Sequence, residues 1–289
     1  RQYRWTWILV IMEDENWVTG NIVLRINGEP VEMEMTVPAF PVKPHRMLPV
    51  FQQMSSAMVG ECVSAVEAKG KTISCKAGCG ACCRQSVPIS EVEAYQLAEL
   101  VESMPEPRRA KVKRRFARAL DHFTQIKWFD QLIDIKDMAN AGDPDFSPDK
   151  FNEVISSYTN ENIPCPFLEE ESCSIHPDRP LVCREYLVTS PSENCKSPTY
   201  ANIEKVPIFM QPSKAMLMVG KTKNSERMSS LMMIEALDFV ERFPENFAQK
   251  TGPEWASDFF RELSKKDAPM VASSQTVPLI RKRRKKRHK

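Results

Sequence analysis

The sequence contains no apolar run long enough to cross a membrane and none of the common catalytic motifs. A spanning helix needs about 20 apolar residues, whereas the best run extends only from Trp5 to Met12. No phosphate-binding glycine loop, nucleophile elbow, recognisable pair of catalytic carboxylates or internal repeat is present. We therefore predict no membrane span, and no motif indicates nucleotide-dependent or hydrolytic chemistry.

The N-terminal apolar run also lacks the features of a cleaved export signal. It follows basic residues, as in a signal peptide, but Glu13, Asp14 and Glu15 stand where small cleavage-site residues are needed. We interpret the run as a β-strand and predict a cytoplasmic protein.

Composition and charge are those of a globular chain with a basic tail. Of the 289 residues, 42% are hydrophobic and 27% are charged, which excludes a fully disordered or fibrous protein. The last nine residues, Arg281 to Lys289, include eight Lys or Arg and no acid, and without them the formal net charge falls from +2 to −6. Such a tail is expected to be disordered and to bind weakly to nucleic acid or another anionic partner.

A second basic segment lies within the body of the chain. Seven basic residues within 108–118 are interpreted as the solvated face of a helix, with a surface for nucleic acid or another anionic partner as the alternative.

Hydrophobic periodicity predicts an α+β fold with a mainly helical body. Residues 3–12, 17–27 and 30–37 favour strands, and Asn27-Gly28 is a hairpin signal, so we expect a small N-terminal antiparallel β-meander. Helices are predicted at 47–69, at 90–104, from Pro105 or Pro107 to about 127, at 225–243 and at 252–266. Ser90 and Glu93 form a capping-box pattern at the start of the helix over 90–104, and residues 129–160 are predicted to form one or two short helices broken at Gly142 and Pro144. The predicted organisation is a meander and proline-rich linker at 1–44, a helical cysteine-cluster domain at 45–266, and a disordered basic tail at 267–289.

Eight of the nine cysteines fall into two groups along the chain. They are Cys75, Cys79, Cys82 and Cys83, followed by Cys165, Cys173, Cys183 and Cys195. The odd total, the clustered spacing and the lack of a visible export signal favour reduced thiols that hold a metal over a disulfide framework. Cys62 lies on the apolar stripe of a predicted helix, and we expect it to be a core residue.

The spacing of the first four cysteines is difficult to explain without a cation. The pattern Cys-x3-Cys-x2-Cys-Cys places four thiols within nine residues, and their thiolates would repel one another unless a metal neutralised them. Gly78 and Gly80 argue against a regular helix. Because adjacent Cys82 and Cys83 rarely point at one tetrahedral centre, we predict that one of them serves a second metal or bridges two. Two four-cysteine zinc sites satisfy the pattern, as does one [4Fe–4S] cluster with the other cysteines structural.

The last four cysteines lie in a segment, residues 163–198, that has little helical period. It is rich in Pro, Ser and Glu, so a bound metal would explain how it becomes ordered. Arg179 and Arg184 would either hydrogen-bond to anionic thiolates or pair with neighbouring glutamates. His176 is less favoured as a ligand, because eight cysteines already suffice.

This arrangement resembles the eight-cysteine pattern of YkgJ-type cysteine-cluster proteins. The matching elements are, in order, Cys75-Lys-Ala-Gly-Cys79-Gly-Ala-Cys82-Cys83, Cys165-Pro-Phe-Leu, Cys173-Ser-Ile, Arg179-Pro180-Leu-Val-Cys183-Arg184 and Cys195. The resemblance covers about residues 70–200 and implies chelation of zinc or iron, with no general activity known for the family. A bacterial flagellin lysine methylase has a similar cysteine cluster, and this analogy suggests methyl transfer as an activity.

The predicted function is a metal-binding protein whose eight cysteines chelate zinc or an iron–sulfur cluster. The alternative is an enzyme that uses an iron–sulfur cluster for methyl transfer to protein lysine or for electron transfer. No residue is predicted to be catalytic.

Overall fold

The N-terminal part of the computed structural model is a small antiparallel sheet. The structure describes residues 5–6, 16–26, 29–199, 201–223 and 230–265. β1 (Trp5–Thr6), β2 (Trp17–Ile26) and β3 (Glu29–Pro38) lie side by side in that order. Ile26 pairs with Glu29, so two residues connect β2 to β3, as the Asn27-Gly28 signal predicts. Residues 7–12 of the first predicted strand lie outside the described ranges.

Helices make up most of the rest of the described chain, with short strands between them. In chain order the elements are α1 (Leu48–Glu67), β4 (Pro88–Ile89), α2 (Glu91–Glu102), α3 (Arg108–Gln125), α4 (Trp128–Ala141), α5 (Pro148–Asn160), β5 (Leu168–Glu169), β6 (Ser172–Cys173), α6 (Leu181–Glu185), α7 (Pro212–Met216), β7 (Leu231–Met232), α8 (Ala236–Arg242) and α9 (Gly252–Leu263). The predicted α+β class with a mainly helical body is confirmed. No helix in the described ranges is both long enough and apolar enough to span a bilayer.

Local sequence signals account for several of these helix ends. Ser90 accepts a hydrogen bond from the Glu93 N–H while the Glu93 carboxylate accepts one from the Ser90 N–H, which completes the predicted capping box of α2. Gly142 has a φ of +64° and ends α4, so the predicted break between two helices is found there. In α1, Cys62 is 2% exposed within the main core, as predicted from its place on the apolar stripe.

The helix predicted over 225–243 is wrong for residues 231–235. Leu231 and Met232 form β7, which pairs antiparallel with β4, and a 3-10 turn over Met233–Glu235 precedes α8. The side chains of residues 231–234 are each at most 4% exposed. An amphipathic helix buries one stripe, whereas a covered strand buries successive residues on both faces, so four consecutive buried apolar residues fit an extended segment better. Residues 225–229 of the predicted helix lie outside the described ranges.

A single large apolar cluster connects the sheet to the helices. Ile22, Met35 and Val37 from the sheet belong to the same buried cluster as Phe51 of α1 and Phe259 of α9. The Phe51 and Phe259 rings stack with centroids 4.3 Å apart. The predicted basic tail, 267–289, is outside the described residues.

Candidate metal centre

The first four site cysteines lie on a series of turns between α1 and β4. The Cys79 N–H donates to the Lys76 carbonyl (3.1 Å), and the Cys83 N–H donates to the Gly80 carbonyl (3.0 Å). Gly78 has a φ of +84°, which a helix cannot accommodate. The segment is therefore not a regular helix, as the two glycines predict.

The next three cysteines are positioned by a tight hairpin and a short helix. The Leu168 N–H donates to the Cys165 carbonyl (2.9 Å), and Leu168 at the start of β5 pairs with Cys173 at the end of β6. α6, which begins directly after Pro180, presents Cys183. The segment contains only short elements, as expected from its weak helical period.

Three contacts near the β5–β6 hairpin join the two cysteine-bearing segments. The Cys165 N–H donates to the Cys83 carbonyl over 2.7 Å. The guanidinium of Arg84 donates to both carboxylate oxygens of Glu171, over 2.6 and 3.1 Å. Gly80 lies so close to the hairpin that a Cβ atom at this position would stand 2.4 Å from the Glu171 carbonyl oxygen. Cysteines 82 residues apart in sequence are thus neighbours in the fold.

The hairpin tip adopts an unusual backbone conformation. Glu170 and Glu171 connect β5 to β6 with φ values of +49° and +58°, in the left-handed region that favours Asn and Gly. This conformation costs free energy for a glutamate. The Arg84–Glu171 ion pair and the packing against Gly80 occur at this tip, so they hold the strained turn against the first cysteine segment.

One set of cysteines, which we call the first group, forms a small apolar cluster of its own. Its members are Cys75, Cys79, Cys82 and Cys195. Cys195 is 2% exposed and packs with Ala81 and Val188, and the other three surround this cluster. Three cysteines that are close in sequence thus lie beside a fourth, Cys195, that is more than a hundred residues downstream.

The other set, which we call the second group, lies against the main core. Its members are Cys83, Cys165, Cys173 and Cys183. Cys165 and Cys173 pack against the large apolar cluster. Burial raises the pKa of Cys183, and the charges of Cys165, Cys82 and Cys173 raise it further. We assign adjacent Cys82 and Cys83 to different groups because only Cys82 packs with the cluster around Cys195, although Cys82 is hydrogen-bonded to Cys83 and its charge acts on cysteines of both groups.

Burial favours the neutral thiol form of several of these side chains. It raises the pKa of Cys165 to about 12 and that of Cys195 to about 11, and it also raises the pKa values of Cys75 and Cys173. Cys82 differs: its hydrogen bond with Cys83 lowers its pKa, while the same bond raises that of Cys83. These thiols must lose protons before they can bind a metal.

Backbone amides also donate to several of the sulfurs. The Val188 N–H lies 3.4 Å from the Cys75 Sγ. The Phe167 and Ile175 N–H groups, each two residues beyond a cysteine, donate to Cys165 and Cys173. Such bonds favour the thiolate form, because a negatively charged sulfur is the stronger acceptor.

The donor set fits a thiophilic metal, although the sulfurs do not converge on one point. Within the part of the chain that the structure describes, no three Cys, His, Asp or Glu side chains are placed so that they could hold a metal ion as they stand. All nine cysteines are free thiols. Two clusters of four thiols, with amide donors at their sulfurs, nevertheless supply the soft ligands that zinc and iron–sulfur clusters use. Chelation would require the sulfurs to turn toward common centres.

The histidine and the two arginines of the segment 163–198 have hydrogen-bond partners other than the cysteines. The guanidinium of Arg184 donates to the carbonyls of Arg179 (3.1 Å) and Pro177. His176 is exposed and contacts the Arg179 guanidinium rather than the cysteines. Neither arginine forms an ion pair with a described carboxylate, so the alternative pairing with neighbouring glutamates is not found.

Two supporting residues carried no signal in the sequence. Gln85 donates to the Cys195 carbonyl (2.9 Å) and to the Tyr186 hydroxyl (3.2 Å), which connects the first segment to the last site cysteine. Arg115 donates to the carbonyls of Pro166 (3.1 Å) and Leu168 (3.0 Å), inside and at the end of the turn that begins at Cys165. Both side chains act on backbone groups distant in sequence, which no local pattern encodes.

The basic face of α3 is largely explained by local contacts. Arg108 contacts Glu169 and the Ser174 carbonyl, and Arg115 supports the Cys165 turn. Arg109 and Lys113 pair with glutamates that precede the helix. These contacts support the interpretation as a solvated helix face, and no observation supports a nucleic-acid partner.

α6 is tied to α7 by a buried carboxylate, which leads to a pH-dependent prediction. The Ser213 N–H and hydroxyl both donate to Glu185 over 2.6 Å, and burial raises the pKa of Glu185 from 4.5 to about 7. Between these values the unfolded chain loses the proton while the folded chain keeps it. The free energy of unfolding therefore falls as pH rises through this window, by about 1.4 kcal/mol per unit from this group.

Glu185→Gln should remove that pH dependence and keep both hydrogen bonds. The stability of the variant relative to the parent chain should increase by about 2 kcal/mol between pH 5.5 and 7.5 and change little above that. Urea unfolding of both chains at matched pH measures this difference. A stability difference that is independent of pH would contradict the assignment of a raised pKa to Glu185.

The comparisons with known proteins bear on this site. Residues 74–205 match the CxxCxxCC family model. The family is described as a "putative zinc- or iron-chelating domain". The match begins one residue before Cys75 and extends past Cys195, so it contains both groups and leaves out Cys62. It confirms the resemblance predicted from the eight cysteines. No curated protein and no solved structure gives a significant match to the chain.

Proposed function

We propose that this protein chelates two metal ions, one in each cysteine group, and that zinc is the ion it holds. The observation that carries this proposal is that adjacent Cys82 and Cys83, although their thiols are hydrogen-bonded to each other, have different further neighbours. Cys82 packs with the first group around Cys195, whereas Cys83 lies with the second group, two of whose cysteines pack against the main core. Four thiolates per ion is the ligand number that tetrahedral zinc requires.

The ligand composition favours a closed site over a catalytic one. Both groups consist only of cysteine, and catalytic zinc sites keep one position open for water or substrate. His176, the histidine nearest in sequence to the second group, is turned toward Arg179. We therefore assign the metals a structural or storage role and no catalytic residue. Reduced thiols of this number require a reducing compartment such as the cytoplasm.

Metal binding would also supply folding free energy to residues 163–198. This segment has only short strands and helices of at most five residues. The two cysteine-bearing segments are far apart in sequence, so chelation across them closes a long loop and restricts the unfolded chain. Binding free energy at such a site contributes directly to stability.

Metal analysis of protein purified without oxygen tests the proposal. Two zinc ions per chain, with no colour, are the expected result. A brown protein that contains iron and acid-labile sulfide would instead support the alternative, an iron–sulfur enzyme for methyl or electron transfer. A chain without bound metal that also fails to take up added zinc would contradict both.

Zinc uptake should release protons in proportion to the ligands bound. Burial raises the pKa values of several site thiols further above neutral pH. At pH 7 the second-group ion should therefore displace about four protons, and the first-group ion somewhat fewer, because the pKa of Cys82 is lowered to about 7. The affinity should fall as pH is lowered, because protons then compete with zinc for the thiolates. A pH indicator in weakly buffered solution measures the release during titration with zinc. Release below about two protons per ion would contradict binding by four thiols.

A further inference from the structure

Glu93 is a buried carboxylate that connects two helices. It lies in the first turn of α2 and is 2% exposed. Its Oε2 accepts hydrogen bonds from the Ser90 N–H and hydroxyl, each over 2.8 Å. Its Oε1 accepts one from the Leu181 N–H, 88 residues away, over 2.9 Å. The capping box of α2 therefore uses one carboxylate oxygen, and the other oxygen holds α6.

The Leu181 N–H needs an acceptor from outside its own helix. Leu181 is the first residue of α6, where a helix leaves its N–H groups without an intrahelical partner. It is also 0% exposed, so bulk water does not satisfy this donor. Removal of the Glu93 oxygen would leave a buried N–H unpaired, and α6 would have to move to bring it to water.

α6 is a short helix whose position depends on its attachments. It has five residues, and Cys183 is at its centre. Glu93 of α2 holds its first residue, while Glu185, its last residue, accepts from the Ser213 N–H and hydroxyl of α7. A helix of this length is not stable by itself. These two contacts, together with the burial of Leu181 in the main core, therefore place Cys183.

The other second-group cysteines are positioned by different contacts. The Cys165 N–H donates to the Cys83 carbonyl, and Cys173 pairs with Leu168 in the β5–β6 hairpin. These contacts arrange three of the four cysteines without involving α6. The position of the fourth, Cys183, relative to the other three thus depends on how α6 is held.

We propose that Glu93 is a positioning residue of the second metal site, which fixes α6 through the Leu181 N–H and so keeps Cys183 beside the other three thiols. This inference rests on the proposed function. It gives a role in the metal site to a residue that is not a ligand and that lies outside the segment 163–198. The first group contains no cysteine from α6, so its ion should not depend on Glu93.

Three full-length variants separate this role from the capping of α2. Glu93→Asp shortens the side chain by one methylene group, so a carboxylate that remains on Ser90 no longer reaches Leu181. Glu93→Ala removes both contacts. Ser90→Ala is the matched control, because it removes the capping hydroxyl of α2 and leaves the bond between Glu93 and Leu181.

Both Glu93 variants should bind zinc more weakly at the second site only. We expect a loss of about tenfold or more there, the usual effect of removing a residue that orients metal ligands. Ser90→Ala should lower the temperature of unfolding by a few degrees and leave both affinities within about twofold of the parent chain. Competition with a coloured zinc chelator measures the affinities. The Cys79→Ser background isolates the second site, and the Cys183→Ser background isolates the first.

Cobalt substitution supplies a readout that a loss of stability alone would not change. In the Cys79→Ser background the expected ion is that of the second group. Its visible absorption depends on the number and geometry of its thiolate ligands. The bands should weaken or shift in Glu93→Asp and stay unchanged in Ser90→Ala.

The results that contradict this role are distinct from those that contradict metal binding. Second-site affinity within about twofold of the parent value in both Glu93 variants, with unchanged cobalt bands, would overturn the role of Glu93. An equal loss of affinity in Ser90→Ala would also overturn it, because the effect would then come from α2. If Glu93→Ala does not fold, Glu93→Asp decides by the same results. A parent chain that binds no zinc would overturn the proposed function and this inference with it.

Discussion

Replacing Cys79 or Cys183 with serine is expected to remove one metal equivalent in each case, and replacing both should remove two. A hydroxyl cannot substitute for the soft thiolate ligand, and the three remaining thiolates of that group leave one position of the tetrahedral ion without a ligand. Because Cys79 belongs to the first group and Cys183 to the second, the single losses should be additive. Per-variant metal stoichiometry measures this directly.

Cys62 is the matched control for these variants. It is 2% exposed in the main core and lies outside both groups. Cys62→Ser should retain both ions and cost about 1–3 kcal/mol of stability, the usual cost of a buried hydroxyl. Cys82→Ser and Cys83→Ser should each lose a different equivalent. Loss of metal from Cys62→Ser with full retention in Cys183→Ser would overturn the ligand assignment.

Gly80→Ala is expected to impair both folding and metal binding. The added methyl group would lie 2.4 Å from the Glu171 carbonyl oxygen and 2.4 Å from Leu168 Cδ1. Backbone cannot move aside as a flexible side chain can, so the hairpin that carries Cys173 must shift away from the first segment. We expect a loss of about 1–3 kcal/mol from overpacking and weaker binding of the second-group ion. Thermal unfolding and zinc competition measure the two effects.

Gly78→Ala separates this contact from a general effect of replacing glycine. Gly78 has a φ of +84° but no atom within 4 Å of the position of an added Cβ. Its substitution should cost about 1 kcal/mol of backbone strain and leave both ions bound. Equal loss of metal from the two glycine variants would mean that the Gly80 contact does not hold the groups together.

Features encoded within a few residues were predictable from the sequence. Ser90 and Glu93 form the capping box three residues apart, Asn27-Gly28 marks the hairpin, and Cys62 occurs at helical spacing among apolar residues. The eight site cysteines were also recognisable, because their spacing is distinctive. Each of these signals depends only on local conformational preference or on residue type.

Features that depend on distant contacts were not predictable. The apolar run at 231–234 contains enough helical period to suggest a helix, but its pairing with Pro88 and Ile89 favours a strand. Gly80 was recognised as a helix breaker, yet its closest constraint is the Glu171 backbone 91 residues away. The adjacency of Cys82 and Cys83 predicts that they serve different centres, but the packing of Cys195 with Cys75, Cys79 and Cys82 depends on the fold, which spacing alone does not reveal.

The grouping of Cys195 with the first cysteines also sets an order of events during synthesis. Cys195 leaves the ribosome after about 110 further residues have followed Cys82, and at roughly 5–20 residues per second this takes about 6–22 s. Throughout that interval the nascent chain displays three thiols of the first group without their fourth. Cys183 completes the second group only twelve residues before Cys195 completes the first. Both sites therefore become complete almost together, when about two-thirds of the 289 residues have been added, and the early thiols remain without their full ligand set until that point.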